Sequence, residues 1–156
     1  MKTLYFLLKI GIAYCILLLS RNSFAANRYA VATGNWNVTT TWSATSGGAS
    51  GASVPVVGDD VYIGEFTNGR TVTIPSGYTA TCSSVTMGNT LANYGSTLNL
   101  ASSTSSLNVS GNVTMNRPSG GATVLIGIGA GTMTVSGNVE LSYHTTSATN
   151  SNRVNS

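Results

Sequence analysis

Val109-Ser110-Gly111-Asn112-Val113 returns unchanged as Val135-Ser136-Gly137-Asn138-Val139, at an offset of 26. The likeness runs well beyond the identical letters. Leu98, Leu100, Leu107, Val109, Val113 and Met115 map at that offset onto Val124, Ile126, Met133, Val135, Val139 and Leu141, apolar in both copies. Their neighbours are mostly Ser, Thr, Asn and Gly. A period of about 20 to 50 residues marks stacked repeats, each a unit that cannot bury its own apolar face. Alternation is period two from Arg70 onward and no stretch shows helical spacing, so the repeats are built of strands.

An earlier copy precedes these two. Val72 and Ile74 match Leu98 and Leu100 at the same offset, whereas Val85-Thr86-Met87 matches Val113-Thr114-Met115 at 28. A two-residue length difference between Pro75 and Ser84 reconciles the offsets. Three rungs result: Thr71 to Met87, Thr97 to Met115 and Thr123 to Leu141. The expected fold is all-β, a β-solenoid of the right-handed parallel β-helix kind, with about three rungs behind an irregular N-terminal cap. Strands stacked about 4.8 Å apart would align like residues into columns. The expected inward columns are Val72/Leu98/Val124, Ile74/Leu100/Ile126, Val109/Val135 and Val113/Val139. Gly111 and Gly137 read as corners, with Asn112 and Asn138 stacked beside them as an amide ladder.

The N-terminus dictates compartment. Met1-Lys2 is followed by an apolar run from Leu4 to Leu19 that Lys9 interrupts, and Ser23-Phe24-Ala25 places small residues at the −3 and −1 positions of a cleavage site. This is the layout of a secretory signal peptide cut after Ala25. The run is short for a membrane span, so no stable span is expected after cleavage. The expected organisation is a leader over 1–25, a cap and first strand over 26–66, repeats over 67–142, and a polar, truncated-looking tail over 143–156. Localisation follows as secreted or cell-surface.

Cleavage changes the charge. The whole chain carries a formal net charge of +3, but Lys2, Lys9 and Arg21 belong to the leader. The remainder holds Arg28, Arg70, Arg117 and Arg153 against Asp59, Asp60, Glu65 and Glu140, a formal balance of zero. No basic patch remains for nucleic acid, which is excluded as a partner. Cys15 also leaves, so Cys82 stands alone and no internal disulfide can form.

Chemistry-bearing motifs are sparse. Asp59-Asp60 follows Gly58 in a turn, and adjacent carboxylates on a strand would face opposite ways. His144 has no second ligand beside it, so no metal is expected. Gly127-Ile128-Gly129-Ala130-Gly131 leads into a strand rather than a helix and reads as a turn, not a nucleotide loop. No catalytic residue and no cofactor are expected. Trp36 and Trp42 are the candidate site residues, either as contacts for carbohydrate or as the cap over the first rung. Tyr62, Tyr78 and Tyr94 could join a sugar-stacking face if they lined one side. Thr71, Thr97 and Thr123 form an expected outward column resembling an ice-binding face, although its neighbour column reads Thr73, Asn99, Leu125.

The run Gly34-Asn35-Trp36, Thr41-Trp42-Ser43, Val54-Pro55, Gly58-Asp59-Asp60-Val61-Tyr62-Ile63 and Thr71-Val72-Thr73-Ile74 is similar to the start of large secreted bacterial surface proteins. Those have adhesin- or autotransporter-like β-helices and often carry a C-terminal sorting domain. Related glycine-rich β-helical domains occur in animal surface proteins associated with hyaluronan. The resemblance covers about Asn35 to Met115, and no sorting domain is recognisable. It implies a non-enzymatic structural or adhesive module whose partners are surface glycans or extracellular proteins, and which continues into further rungs. The other function considered is the N-terminal scaffold of a carbohydrate-active β-helix enzyme, which would need clustered carboxylates in a groove.

Overall fold

The computed structural model describes residues 25–65, 68–91, 93–142 and 152–155. The expected leader through residue 24, Cys15 within it, His144 and most of the expected tail lie outside the described residues. Strands dominate. They are β1 (Asn27–Ala30), β2 (Gly34–Asn35), β3 (Trp42–Ser43), β4 (Asp60–Ile63), β5 (Arg70–Ile74), β6 (Thr79–Cys82) and β7 (Ser84–Met87). There follow β8 (Ser96–Leu100), β9 (Ser106–Val109), β10 (Val113–Met115), β11 (Val124–Gly127), β12 (Thr132–Val135), β13 (Val139–Leu141) and β14 (Asn152–Asn155). One 3-10 turn, Thr39–Thr41, precedes β3.

These strands form three sheets, and successive strands of the repeats go to different sheets. The orders are β13-β10-β7-β4-β1-β3, β14-β11-β8-β5-β2 and β12-β9-β6. Every pairing is parallel except β1 with β3. The chain thus visits the three sheets in turn, and each return lays a strand beside the one laid a turn earlier. Three complete turns, β5-β6-β7, β8-β9-β10 and β11-β12-β13, coincide with the three expected rungs.

Alternation decides what each strand buries. In β5, β8 and β11 the inward residues Val72, Ile74, Leu98, Leu100, Val124 and Ile126 are buried, and Ala80, Cys82, Leu107 and Val109 are buried from β6 and β9. Val85, Met87, Val113 and Met115 close the third side. Burying such a side chain contributes about 1.5–3 kcal/mol, and a single turn, although it contributes to all three walls, leaves its core open above and below.

The register corrects two expected columns. Leu98 pairs with Val72 on one side but with Ile126 on the other, while Val124 sits on Ser96. The column is therefore Val72/Leu98/Ile126, not Val72/Leu98/Val124, and Ile126 is not in the column of Ile74 and Leu100. For the same reason the outward threonine column ends after Thr71 and Thr97, because Leu125 follows there. Elsewhere the columns stand as read, Val109/Val135, Val85/Val113/Val139 and Met87/Met115/Leu141, and the register adds Cys82 to the first of them. The extra length between the first two turns is divided between two corners, since the offset is 27 from Cys82 to Val109 and 28 from Val85 to Val113.

The Gly111 corner has a packing reason. Its N–H donates to the Ser83 carbonyl at 2.7 Å, and the Gly137 N–H donates to the Gly111 carbonyl at 3.0 Å. A Cβ on Gly111 would lie 2.9 Å from the Ser83 oxygen, and one on Gly137 2.7 Å from the Gly111 carbonyl. The asparagines beside them are linked differently from an amide ladder. The Asn138 backbone N–H donates to Asn112 Oδ1 at 2.9 Å.

Two segments differ from expectation. Residues 26–66 are more regular than a cap, because β1 and β4 extend one sheet and β2 extends another. Within the segment read as a polar tail, β14 pairs in parallel with β11, Val124 in register with Asn152. Short polar strands such as Asn27-Arg28-Tyr29-Ala30 lack the apolar alternation by which strands announce themselves.

Candidate functional site

Trp36 and Trp42 sit at the start of the stack, over the core. The Trp36 N–H donates to the Thr73 carbonyl at 2.8 Å, continuing the ladder that β2 makes with β5. Both indoles are 0% exposed, with ring centroids 5.2 Å apart at 72°. Trp42 Nε1 donates to the Trp36 carbonyl at 2.7 Å. An indole without exposed face cannot stack on a sugar ring, so of the two expected roles the geometry fits the cap.

The tyrosines do not line one side. Tyr62 lies on the outward face of β4, stacked on Tyr29 of β1 at 4.8 Å and 16°. Burial, then the charges of Asp60, Tyr29 and Glu65, push the Tyr62 hydroxyl upward in pKa. Tyr78 packs at a corner against the core, and Tyr94 stands in the segment before β8.

Asp59 and Asp60 occupy opposite environments, as the turn requires. The Asp59 N–H donates to the Val56 carbonyl at 3.0 Å across Val57-Gly58, where Gly58 has φ +95°. A left-handed φ of that size favours glycine. The Asp59 side chain turns inward and is 1% exposed. It accepts from the N–H of Ala26 at 3.0 Å and of Val56 at 3.1 Å, with Arg28 Nε 3.6 Å away. Asp60 turns outward and accepts from Ser84 Oγ at 2.6 Å. These carboxylates are not aimed at a common point, so they cannot share a substrate. Arg28 and Ala26 carry no local signal of this role, because their approach to Asp59 depends on the β1–β4 register.

Cys82 is buried behind this turn, whose Asp59 carbonyl accepts from the Ser83 N–H at 2.7 Å. Burial, reinforced by the charges of Asp60 and Asp59, pushes the thiol up to about 12. It stays protonated at neutral pH, and the thiolate is the reactive form. Among the described residues no three His, Cys, Asp or Glu side chains gather as metal ligands. Gly127 to Gly131 is a turn, with Gly129 at φ +54° and the Gly131 N–H donating to the Ile128 carbonyl at 2.9 Å. No described helix is long and apolar enough to cross a membrane.

The outward face of β6, β9 and β12 carries two regular columns. Thr79, Ser106 and Thr132 form one column, and Thr81, Asn108 and Thr134 the next. None of these six side chains hydrogen-bonds within the described residues. At the neighbouring corner, by contrast, Ser102, Thr104 and Ser105 bond one another, and Thr104 also reaches Ser76. Along the second column a shallow cleft of about 170 Å³ opens, lined by Thr81, Asn108 and Thr134 with Val57 and Ser110.

Compared with protein-family models, curated proteins and solved structures, the chain matches none of them.

Proposed function

We propose that this chain is a non-enzymatic secreted or cell-surface module, structural or adhesive in role, built as a right-handed β-solenoid behind an N-terminal cap. Right-handedness is the rule for parallel crossover connections. The observation that carries the reading is the repetition of the stack, whose columns Val85/Val113/Val139 and Met87/Met115/Leu141 recur in register over three turns. Trp36 and Trp42 cover its first end, whereas β13 leaves Val139 49% and Leu141 51% exposed, in columns that are buried one turn earlier. A stack of like turns held in register suits an extended surface array, and β14 lays a further strand on β11. The similarity of Gly34 to Ile74 to bacterial surface proteins points the same way, and the segment before Ala26 has the layout of an export leader.

The test is expression of the whole chain in a bacterial host, fractionation, and binding of the exported protein to arrayed glycans and matrix proteins. Export with saturable binding and no turnover of a polysaccharide panel is expected. Retention in the cytoplasm, or cleavage of any polysaccharide, would overturn the reading.

A second reading, ice binding, has one observation in its favour. The two outward columns of β6, β9 and β12 place hydroxyl or amide groups about 4.8 Å apart along the stack and about 6.6 Å apart along each strand. An assay of ice-crystal growth with Thr81→Tyr as control decides it: no growth inhibition by the parent protein removes this reading.

A further inference from the structure

The first described strand begins where the export leader would be cut. In the parallel register of β1 with β4, Asn27 pairs with Asp60, so the preceding residues, Ala26 and Asp59, are brought side by side. The Asp60 N–H donates to the Ala26 carbonyl at 3.0 Å, and the Ala26 nitrogen donates to Asp59 Oδ1 at 3.0 Å. Ala25, just before it, is exposed.

Asp59 has one cation beside it, Arg28, paired through Nε at 3.6 Å. It is 1% exposed, and a buried carboxylate needs a paired cation. The rest of the guanidinium is directed elsewhere: Arg28 Nη1 donates to the Asn27 carbonyl at 3.0 Å and Nη2 to Ser53 Oγ at 2.7 Å. Only Nε faces Asp59, at 3.6 Å and without a hydrogen bond. The other ionisable groups around the turn are Asp60, which faces outward to Ser84, and the protonated thiol of Cys82. Neither supplies a cation.

We infer that Asp59 is the binding site for the α-ammonium group created when the Ala25–Ala26 peptide bond is hydrolysed. The inference rests on the leader reading of the proposed function. A leader peptidase breaks the bond between the Ala25 carbonyl carbon and the Ala26 nitrogen. Water supplies the second oxygen of the Ala25 carboxylate, and its protons leave Ala26 as an ammonium. The hydrogen bond from Ala26 to Asp59, made before cleavage by a neutral amide, is then made by a cation, so both partners are charged. Leader removal thereby gives the buried carboxylate a second, directly hydrogen-bonded cation beside Arg28.

The sequence makes this testable with one reagent. The chain's lysines are Lys2 and Lys9, both before Ala25. The processed chain therefore has a single primary amine, its α-amine. The whole chain is exported from a bacterial host, its first residue is read by intact mass, and the amine is labelled with an N-hydroxysuccinimide ester, native and in urea. The expected mass starts at Ala26, with native labelling slowed by about tenfold or more, the factor for a one-unit rise in amine pKa. Asp59→Asn should lose the protection. Should that variant fail to fold, a glycine inserted between Ala25 and Ala26 displaces the ammonium and should abolish protection with circular dichroism unchanged. Equal labelling rates in native and unfolded protein starting at Ala26 would overturn the pairing. A different first residue would overturn the leader reading, separately from the pairing.

Discussion

Trp42 Nε1 donates to the Trp36 backbone carbonyl at 2.7 Å, and the two rings meet edge to face at 5.2 Å. One indole therefore fixes both the backbone and the ring of the other, and together they seal the first end of the core. Trp42→Phe keeps most of the apolar volume but leaves that buried carbonyl without its donor, at an expected cost of about 1–3 kcal/mol. Trp36→Ala opens a cavity and should cost about 3–5 kcal/mol. Urea unfolding followed by circular dichroism measures both. Parent-like stability of Trp36→Ala, with altered glycan binding, would mean that the indole serves as a sugar contact after all.

The stacked corner at Gly111 gives a second prediction. A methyl group there meets the Ser83 carbonyl oxygen at 2.9 Å, backbone that cannot swing away. Gly111→Ala should destabilise by about 1–3 kcal/mol, the usual range for overpacking. Ser103→Ala, on an exposed turn, should stay within about 0.5 kcal/mol of the parent. Similar midpoints for the two variants would contradict the corner's packing.

Cys82 sets a pH limit. Its thiol is pushed from 9.0 to about 12 in the fold. Between those values the unfolded chain loses the proton and the folded chain keeps it, so unfolding releases a proton and stability falls as pH rises. Below pH 9 the contribution is fully present. A thiol reagent at about pH 8 should leave the native protein unlabelled and react once urea unfolds it. Cys82→Val, which continues the column of Val109 and Val135, should fold normally and lose this part of the alkaline dependence. Prompt labelling of the native thiol would show that the site is open.

Met115 and Leu141 belong to one column but to different turns, and only Met115 is fully buried. Met115→Lys should prevent folding, because an unpaired charge would enter the core. Leu141→Lys should shift the midpoint little and should reduce end-to-end association in sedimentation, since charge on an edge strand discourages pairing. If both variants unfold alike, Leu141 is covered as Met115 is.

Much of the fold is legible in the sequence alone. Period-two alternation names the inward residues, and the repeated Val-Ser-Gly-Asn-Val sets a spacing that β9/β12 and β10/β13 keep unchanged. Where the copies hold a landmark such as Gly111 and Gly137, the register is readable. The site is less so. The tryptophans are recognisable as cap residues, but nothing local connects Ala26 and Arg28 with Asp59.

The sequence by itself determined that this is an all-β chain of repeated strands, which faces they bury and how many full turns they make. The tertiary structure decided the register of Leu98 on Ile126 and the meeting of Ala26 with Asp59. Alternation is unchanged by a slip of two residues, since Leu98 finds an apolar partner in either Val124 or Ile126. The links before β8 and before β11, 88–95 and 116–123, are equally long, and the difference falls instead at the corner after Leu100. Only the closing of those corners in three dimensions chooses between pairings that the pattern leaves equivalent.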